Sequence, residues 1–193
     1  MKPTNEFEHK YWPLNKTVLG IDEAGRGPLA GPMVVAGVIL PIGYDSGDIN
    51  DSKQLTEKKR EELYDVIIRD ALYYDIKVVE PEVIDELNPL AADRKAMTEI
   101  AVNAPTDIIL TDAVELYIDK EVTAIIKGDA KSCSIAAASI LAKVTRDRIM
   151  MEYDALYPAY KYARHKGYPT PEHIKICREL GPSPIQRHSF HVK

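Results

Sequence analysis

Carboxylates at the ends of short apolar runs are the residues of this chain best placed to do chemistry. Asp22 and Glu23 close the run that begins at Thr17, Asp112 closes the run that begins at Asp107, and Asp129 follows the run Val122–Lys127 after Gly128. In open α/β sheets, ligand sites form at such strand ends. Neighbours along a strand point to opposite faces, so Asp22 and Glu23 converge on one site only if the strand stops there; the Ala-Gly-Arg-Gly continuation permits this. Like charges gathered in one place repel and drift toward protonation unless neutralised. Hard divalent cations, Mg²⁺ or Mn²⁺, resolve that conflict because they prefer carboxylate oxygens. The chain holds 30 acidic residues, and adjacent pairs also occur at Glu61-Glu62 and Asp85-Glu86. Ordinary solvated strand ends are therefore the alternative reading.

Other residues read two ways. The run Gly25-Arg26-Gly27-Pro28-Leu29-Ala30-Gly31 is neither G-x-G-x-x-G nor a Walker A pattern, and Pro28 lacks a backbone donor. Its glycines either let main-chain groups approach a sugar hydroxyl or phosphate, or simply make a tight turn. Lys53 precedes a helix and either meets a phosphate oxygen or stands free in solvent. Tyr168, flanked by His165, Lys166 and Gly167, either stacks on a nucleotide or is one more packed tyrosine among 11. His188 and His191 are spaced as a metal pair could be, but a C-terminal tail is the expected context. Cys133 and Cys177 show no nucleophile setting and read as small packing residues.

Alternating strands and helices must position these groups. Strands are expected over Thr17–Asp22, Met33–Leu40, Tyr73–Val79, Asp107–Thr111 and Val122–Lys127, the second so continuously apolar that both its faces must be covered. A helix starts at Thr56, with Leu63, Val66 and Ile67 at helical spacing. Pro81 suits a first helical position, and the stretch from Glu82 to Asn103 is helical with a break at Pro89. A long Ala-rich helix runs over Ser132–Tyr157 with Ile140, Leu141 and Val144 on one stripe, and a last helix runs from Thr170-Pro171 to Gly181. The pattern is α/β, with about five strands covered by helices.

The chain has 193 residues, of which 45% are apolar and 28% charged. That length suits one domain with its own core over residues 1–193 and excludes collagen-like, coiled-coil and disordered classes. No run reaches the roughly 18 apolar residues of a membrane span, and the N-terminus carries no apolar signal region. Two cysteines make no disulfide framework. A cytoplasmic, monomeric, soluble protein with no membrane contact is expected. The formal net charge is −5, but residues 158–193 carry seven basic residues against Glu172 and Glu179, a local +5, leaving −10 on residues 1–157. This basic C-terminal part is either a solvated tail or a surface facing a phosphate backbone.

Five blocks in order decide among these readings. Gly20-Ile21-Asp22-Glu23-Ala24-Gly25-Arg26-Gly27-Pro28-Leu29-Ala30-Gly31-Pro32 resembles the opening signature of the ribonuclease HII family. Asp51-Ser52-Lys53-Gln54-Leu55-Thr56 is similar to its second block, and Lys127-Gly128-Asp129-Ala130-Lys131-Ser132, running into Ser134–Asp147, to its third. His165-Lys166-Gly167-Tyr168 and Gly181-Pro182-Ser183-Pro184-Ile185 are similar to its C-terminal blocks in the bacterial style. The segment after Asp112, the break at Asn88-Pro89 and Cys133 depart from the family pattern. The resemblance implies the ribonuclease H fold, a five-stranded mixed sheet flanked by helices with a helical C-terminal part. It implies that Asp22, Glu23, Asp112 and Asp129 are catalytic acids binding divalent metal, Mn²⁺ or Mg²⁺. It further implies that Gly25, Arg26 and Gly27 read a ribose 2′-hydroxyl, with Tyr168 packing on the sugar; Lys53 joins them as a candidate substrate-binding residue on its own position before a helix.

The implied substrates are an RNA–DNA hybrid and a DNA duplex carrying a lone ribonucleotide. The implied products carry 5′-phosphate and 3′-hydroxyl ends. Two divalent ions about 3.5–4 Å apart can activate water and stabilise the leaving alkoxide, so no histidine base is needed. Readout of an A-like heteroduplex is expected through shape and 2′-hydroxyls rather than sequence. Without the resemblance, the same acids would suit another two-metal nuclease, or be incidental in a nucleic-acid-binding module.

Overall fold

Residues 3–190 are described by a computed structural model; His191 and Lys193 lie outside the described residues. Strand β1 (Leu19–Ala24) pairs antiparallel with β2 (Met33–Ile39), and β2 with β3 (Tyr73–Val79). On its other side β1 runs parallel to β4 (Ile108–Asp112), and β4 to β5 (Glu121–Ile125). The result is a five-stranded mixed sheet in the order β3-β2-β1-β4-β5. Seven helices accompany it among the described residues: α1 (Glu8–Tyr11), α2 (Glu57–Asp70), α3 (Pro81–Leu87), α4 (Pro89–Asn103), α5 (Cys133–Leu156), α6 (Tyr162–His165) and α7 (Pro171–Leu180).

The unbroken apolar run of β2 is explained by helices on both sides. Met33, Val35 and Ile39 pack with Ile84 of α3 and Met97 and Ile100 of α4, whereas Val34, Ala36 and Val38 pack with Leu63 and Ile67 of α2 and Ile140 and Leu141 of α5. Both sets lose nearly all contact with water, and burying an aliphatic side chain contributes about 1.5–3 kcal/mol each. Ser132 caps α5 by accepting the Ile135 N–H at 3.1 Å. Asn88, at φ +70°, ends α3 and caps α4 through the Ala91 N–H, so the expected break at Pro89 is a full change of helix.

Three elements depart from the sequence reading. β1 starts at Leu19 and continues past Asp22, because Glu23 and Ala24 still pair with Val35 and Val34 of β2. Its parallel pairing with β4, by contrast, stops at Ile21↔Thr111. The strands part there, so Asp22 and Asp112, each one residue beyond the last pair, stand at the mouth of the split. β5 ends at Ile125, and Lys127 turns the chain at φ +57° into the short 3-10 turn Gly128–Ala130 that carries Asp129. The C-terminal part is not a loose tail. Ala30 bridges to Gln186, Arg187 N–H donates to the Leu29 carbonyl, and Asp85 of α3 accepts the N–H groups of His188 and Ser189. Cys133 is buried as expected, while Cys177 is only half-buried; both are free thiols.

Gly20 lets α5 lie directly on β1, since a Cβ there would stand 2.2 Å from the Ser134 carbonyl carbon. The obstacle is backbone, which no rotamer change relieves. Gly20→Ala should therefore cost about 1–3 kcal/mol, lowering Tm by about 2–4 °C per kcal/mol at this size. Gly43→Ala, where nothing lies within 4 Å and only the φ of +74° is unfavourable, should cost about 1 kcal/mol. Thermal unfolding of the two variants compares them, and equal losses would contradict the close approach.

Candidate active site

Four acids gather at the split between β1 and β4: Asp22 and Glu23 from β1, Asp112 from the end of β4, and Asp129 from the turn after β5. Asp22 is 3% exposed, and its Oδ1 accepts the Glu23 N–H at 2.8 Å. Alternation along β1 sends Glu23 toward α4, where it meets Arg26 Nη2 at 2.9 Å; the same nitrogen also binds buried Asp93 of α4. Asp112 Oδ1 accepts the Gly128 N–H at 2.7 Å, which ties the end of β4 to the turn carrying Asp129. Asp129, nearly buried, lies 3.6 Å from Lys53 Nζ through its Oδ2.

Burial pushes the Asp22 carboxyl well above the usual range, and the charges of Glu23, Asp112 and Asp129 push it further. Glu23 and Asp129 are raised for the same leading reason, although Arg26 and Lys53 oppose the shift. Asp93 is raised to about 7 by burial and by Glu23. No set of three or more potential ligands among the described residues is drawn into a closed cage, since Glu23, Asp112 and Asp129 are each turned onto an internal partner. The donor set nevertheless suits a hard divalent cation: it offers only carboxylate oxygens, Glu23 Oε2 is buried without a partner, and Asp22, Glu23 and Asp129 are held toward protonation. A divalent cation relieves each of these strains.

Asp22, Glu23, Gly25, Arg26, Gly27, Lys53, Asp112 and Tyr168 all line one cleft, joined by Ser52, Ser139 and Lys143. Asp129 stands beside it, behind the largely exposed Lys53. The Tyr168 ring lies over the Arg146 guanidinium at 5.4 Å and faces Lys143 Nζ at 5.9 Å, both cation–π distances. Every site residue expected from the sequence is therefore at or beside a single cleft.

Sequence reasoning missed what holds the glycine loop. Arg146 and Arg187 are completely buried, and neither pairs with a carboxylate among the described residues. Arg187 donates to the carbonyls of Gly25, Arg26 and Gly31 at 2.6, 3.0 and 2.9 Å, and Arg146 to those of Pro32 and Ala30 at 2.8 and 3.2 Å. Burial and the neighbouring Arg146 lower Arg187 to about 9. Gly25, at φ +93°, is obligatory, since a Cβ would stand 2.0 Å from Arg146 Nε. Arg146 did carry a signal, because it sits four residues from Ala142 and Met150 on the buried face of α5. Arg187 carried none.

Because the folded state raises the Asp22 pKa, that group's destabilising contribution is absent below the ordinary carboxylate pKa of about 4 and grows as pH rises. Asp22→Asn removes the charge and keeps an Oδ1 acceptor for the Glu23 N–H. In chelator, the variant should melt a few degrees above the parent at about pH 8, and the advantage should shrink toward about pH 5. Thermal unfolding across that range tests it, and a variant no more stable at the upper end contradicts the crowding.

Comparison with known proteins places this cleft in a family. The sequence pattern described as Ribonuclease HII matches residues 19–193. The ribonuclease HII of Ruminiclostridium cellulolyticum is 55% identical over 176 residues, which is 90% of this chain and 69% of that protein. The one from Lachnoclostridium phytofermentans is 52% identical over 190 residues, 96% of this chain and 74% of its own. Among solved structures, ribonuclease H2 from Pyrococcus horikoshii superposes with a TM-score of 0.75 at 29% identity, covering 91% of this chain and 94% of its own. A structure of the PCNA:RNase HII complex from Archaeoglobus fulgidus gives 0.78 at 26% identity, with 92% and 96% covered. Agreement of this extent in sequence and in fold leaves one assignment: the chain belongs to the ribonuclease HII family, whose members are ribonuclease H hydrolases.

Proposed function

We propose that this chain is an endoribonuclease that hydrolyses the RNA strand of RNA–DNA hybrids and cuts 5′ of single ribonucleotides embedded in duplex DNA. The ends left are 5′-phosphate and 3′-hydroxyl. The observation that carries this reading is the convergence of Asp22, Glu23, Asp112 and Asp129 on a cleft that also presents the Gly25–Gly27 loop and Tyr168. Asp22, Glu23, Asp112 and Asp129 would hold Mg²⁺ or Mn²⁺. Bound there, the ions supply Lewis-acid activation of water near neutral pH and neutralise charge at the scissile phosphate.

The chain's own residues orient the substrate. Carbonyls of Gly25 and Arg26 point at Arg187. In a trans peptide C=O and N–H are opposed, so the N–H groups of Arg26 and Gly27 point away from Arg187. Gly27 is exposed with nothing within 4 Å of a would-be Cβ, leaving room for a sugar to come against the backbone. This supports a reading in which those donors meet a ribose 2′-hydroxyl, with the half-exposed Tyr168 ring packing on the neighbouring sugar. Lys53 and Lys143 stand at the cleft as counter-charges for phosphate.

Residues 158–193 form the substrate-binding part of the same domain in this reading. Arg187 is committed to the interior, so the duplex contact falls to cations that remain outside. Lys161 and Arg164, half or more exposed, share Glu172, and Lys166 Nζ rests on the Ala163 carbonyl. Neutralising Lys161, Arg164 and Lys166 together should flatten the dependence of log Kd on log salt by up to about 0.9 per lost phosphate contact. A fluorescence titration at several salt concentrations reads the slope, and an unchanged slope removes these residues from the interface.

The decisive experiment incubates the protein with a duplex carrying one embedded ribonucleotide, and with an all-DNA control. Cleavage is expected with Mg²⁺ or Mn²⁺, none with chelator, and none of the control. Asp129→Asn should lower turnover by about 100-fold or more with a normal melting curve, and Tyr168→Ala should lose most at the single ribonucleotide. Near-normal turnover by Asp129→Asn would defeat the reading of the acids.

A further inference from the structure

Two imidazoles that the proposed chemistry does not use are stacked behind Tyr168. The rings of His165 and His173 lie 4.2 Å apart at 14°, and the Tyr162 ring stands edge-on to both at 5.8 and 5.7 Å. His173 is fully buried and His165 nearly so. His165 Nε2 meets the Tyr160 carbonyl at 2.9 Å, while its Nδ1 accepts the Gly167 N–H at 3.2 Å. His173 Nδ1 meets the Tyr168 carbonyl at 2.9 Å, and its Nε2 is buried without a partner. A carbonyl only accepts, so these partners put one proton on His165 Nε2 and one on His173 Nδ1. Both rings are neutral in this arrangement.

The consequence falls on the dipeptide Gly167-Tyr168. Its four main-chain polar groups are all committed: Gly167 N–H to His165 Nδ1, Gly167 C=O to the Leu29 N–H at 2.8 Å, Tyr168 N–H to the His165 carbonyl at 2.9 Å, and Tyr168 C=O to both His173 and the Thr170 N–H, the latter at 2.8 Å. Gly167, at φ +82°, passes so close to the glycine loop that a Cβ would lie 2.3 Å from the Ala30 carbonyl oxygen. The two side chains thus hold the tyrosine's backbone from one side, and the loop that carries Gly25–Gly27 holds it from the other. We propose that His165 and His173 are positioning residues acting through Tyr168, fixing its ring against the glycine loop and with it the discrimination between a lone ribonucleotide and a continuous RNA strand. This rests on the role of Tyr168 proposed above.

The groups facing the pair are Tyr160, Tyr162, Asp154 and Glu172. Asp154 Oδ1 accepts the Ala163 N–H, and Glu172 is shared by Lys161 and Arg164. Both carboxylates favour protonation of His165, yet neither bonds an imidazole nitrogen; burial lowers both histidines, and His173 lowers His165 further. A second proton on His165 Nδ1 abolishes the acceptor for Gly167, and one on His173 Nε2 lands on a buried atom with no partner.

His173→Asn keeps a side-chain N–H within reach of the Tyr168 carbonyl and does not titrate; His173→Phe keeps a stacking ring and donates nothing. The readout is the ratio of cleavage rates, embedded ribonucleotide over continuous hybrid, which cancels effects on metal binding and chemistry common to both substrates. The Asn variant should keep this ratio within about threefold of the parent, while the Phe variant should lower it about 10-fold. A Phe variant that keeps the ratio overturns the proposal, whatever its melting temperature. Should neither variant fold, the ratio in the unaltered protein should hold down to about pH 6.5, because burial keeps both imidazoles below their ordinary value, and fall only as pH drops further toward about pH 5. A ratio that falls above about pH 6.5, or that is still flat at about pH 5, overturns the proposal equally. Tyr168→Ala separates the two failures. If it leaves the ratio unchanged, the reading of Tyr168 falls and the proposal with it; if it lowers the ratio and His173→Phe does not, the proposal falls alone.

Discussion

Repulsion among carboxylates at the parting of β1 and β4 is the constraint to which the rest of the molecule is fitted. Asp22 sits where the parallel ladder stops after Ile21↔Thr111, with no solvent to spread its charge and three other acids close enough to raise its pKa. The chain answers locally with Arg26 beside Glu23 and Lys53 beside Asp129. Those cations make ion pairs with Glu23 and Asp129 and act on Asp22 only at longer range; among the described residues Asp22 has no ion pair of its own. A site that remains under-neutralised in its own fold is suited to take up divalent charge.

A second constraint comes from building a loop at the cleft out of glycines. Gly25 must take a left-handed φ and leave space for Arg146, so among Gly25, Arg26 and Gly27 only Arg26 has a side chain to anchor with, and it does so on Glu23 and Asp93. The loop's main chain is anchored from outside, by Arg146 on α5 and Arg187 from the C-terminal part. Both guanidiniums are removed from water, which is costly, and the cost is partly offset by hydrogen bonds to backbone carbonyls, although Arg146 Nη1 finds no partner. Arginine suits the task because its planar fork reaches several carbonyls at once. The C-terminal part therefore supports the cleft from behind.

The sequence was legible wherever a local rule decides the outcome. The two-sided burial of β2 followed from an uninterrupted apolar run, the helix starts at Thr56, Ser132 and Thr170 from their capping side chains, and the break at Asn88 from Pro89. Strand ends were read less well, because they depend on how far a partner strand continues. β1 outruns its expected end on the side of β2 and stops short on the side of β4, and no residue of β1 encodes that asymmetry. It is the asymmetry, rather than an early strand end, that lets Asp22 and Glu23 serve one cleft while pointing to opposite faces.

What the chain determined by itself was the identity of the chemical groups and their order: acids after apolar runs, glycines that exclude side chains, and an aromatic ring next to a glycine, together with the family blocks that contain them. These are properties of residue type and spacing, fixed before folding. The tertiary structure alone decided who stands next to whom. Asp93 behind Arg26, Arg187 beneath the glycine loop, and the His165–His173 stack beneath Tyr168 join residues remote in sequence or separated by a turn. Packing of buried surfaces selects such neighbours, and their mutual hydrogen bonds exist only once water has been displaced between them.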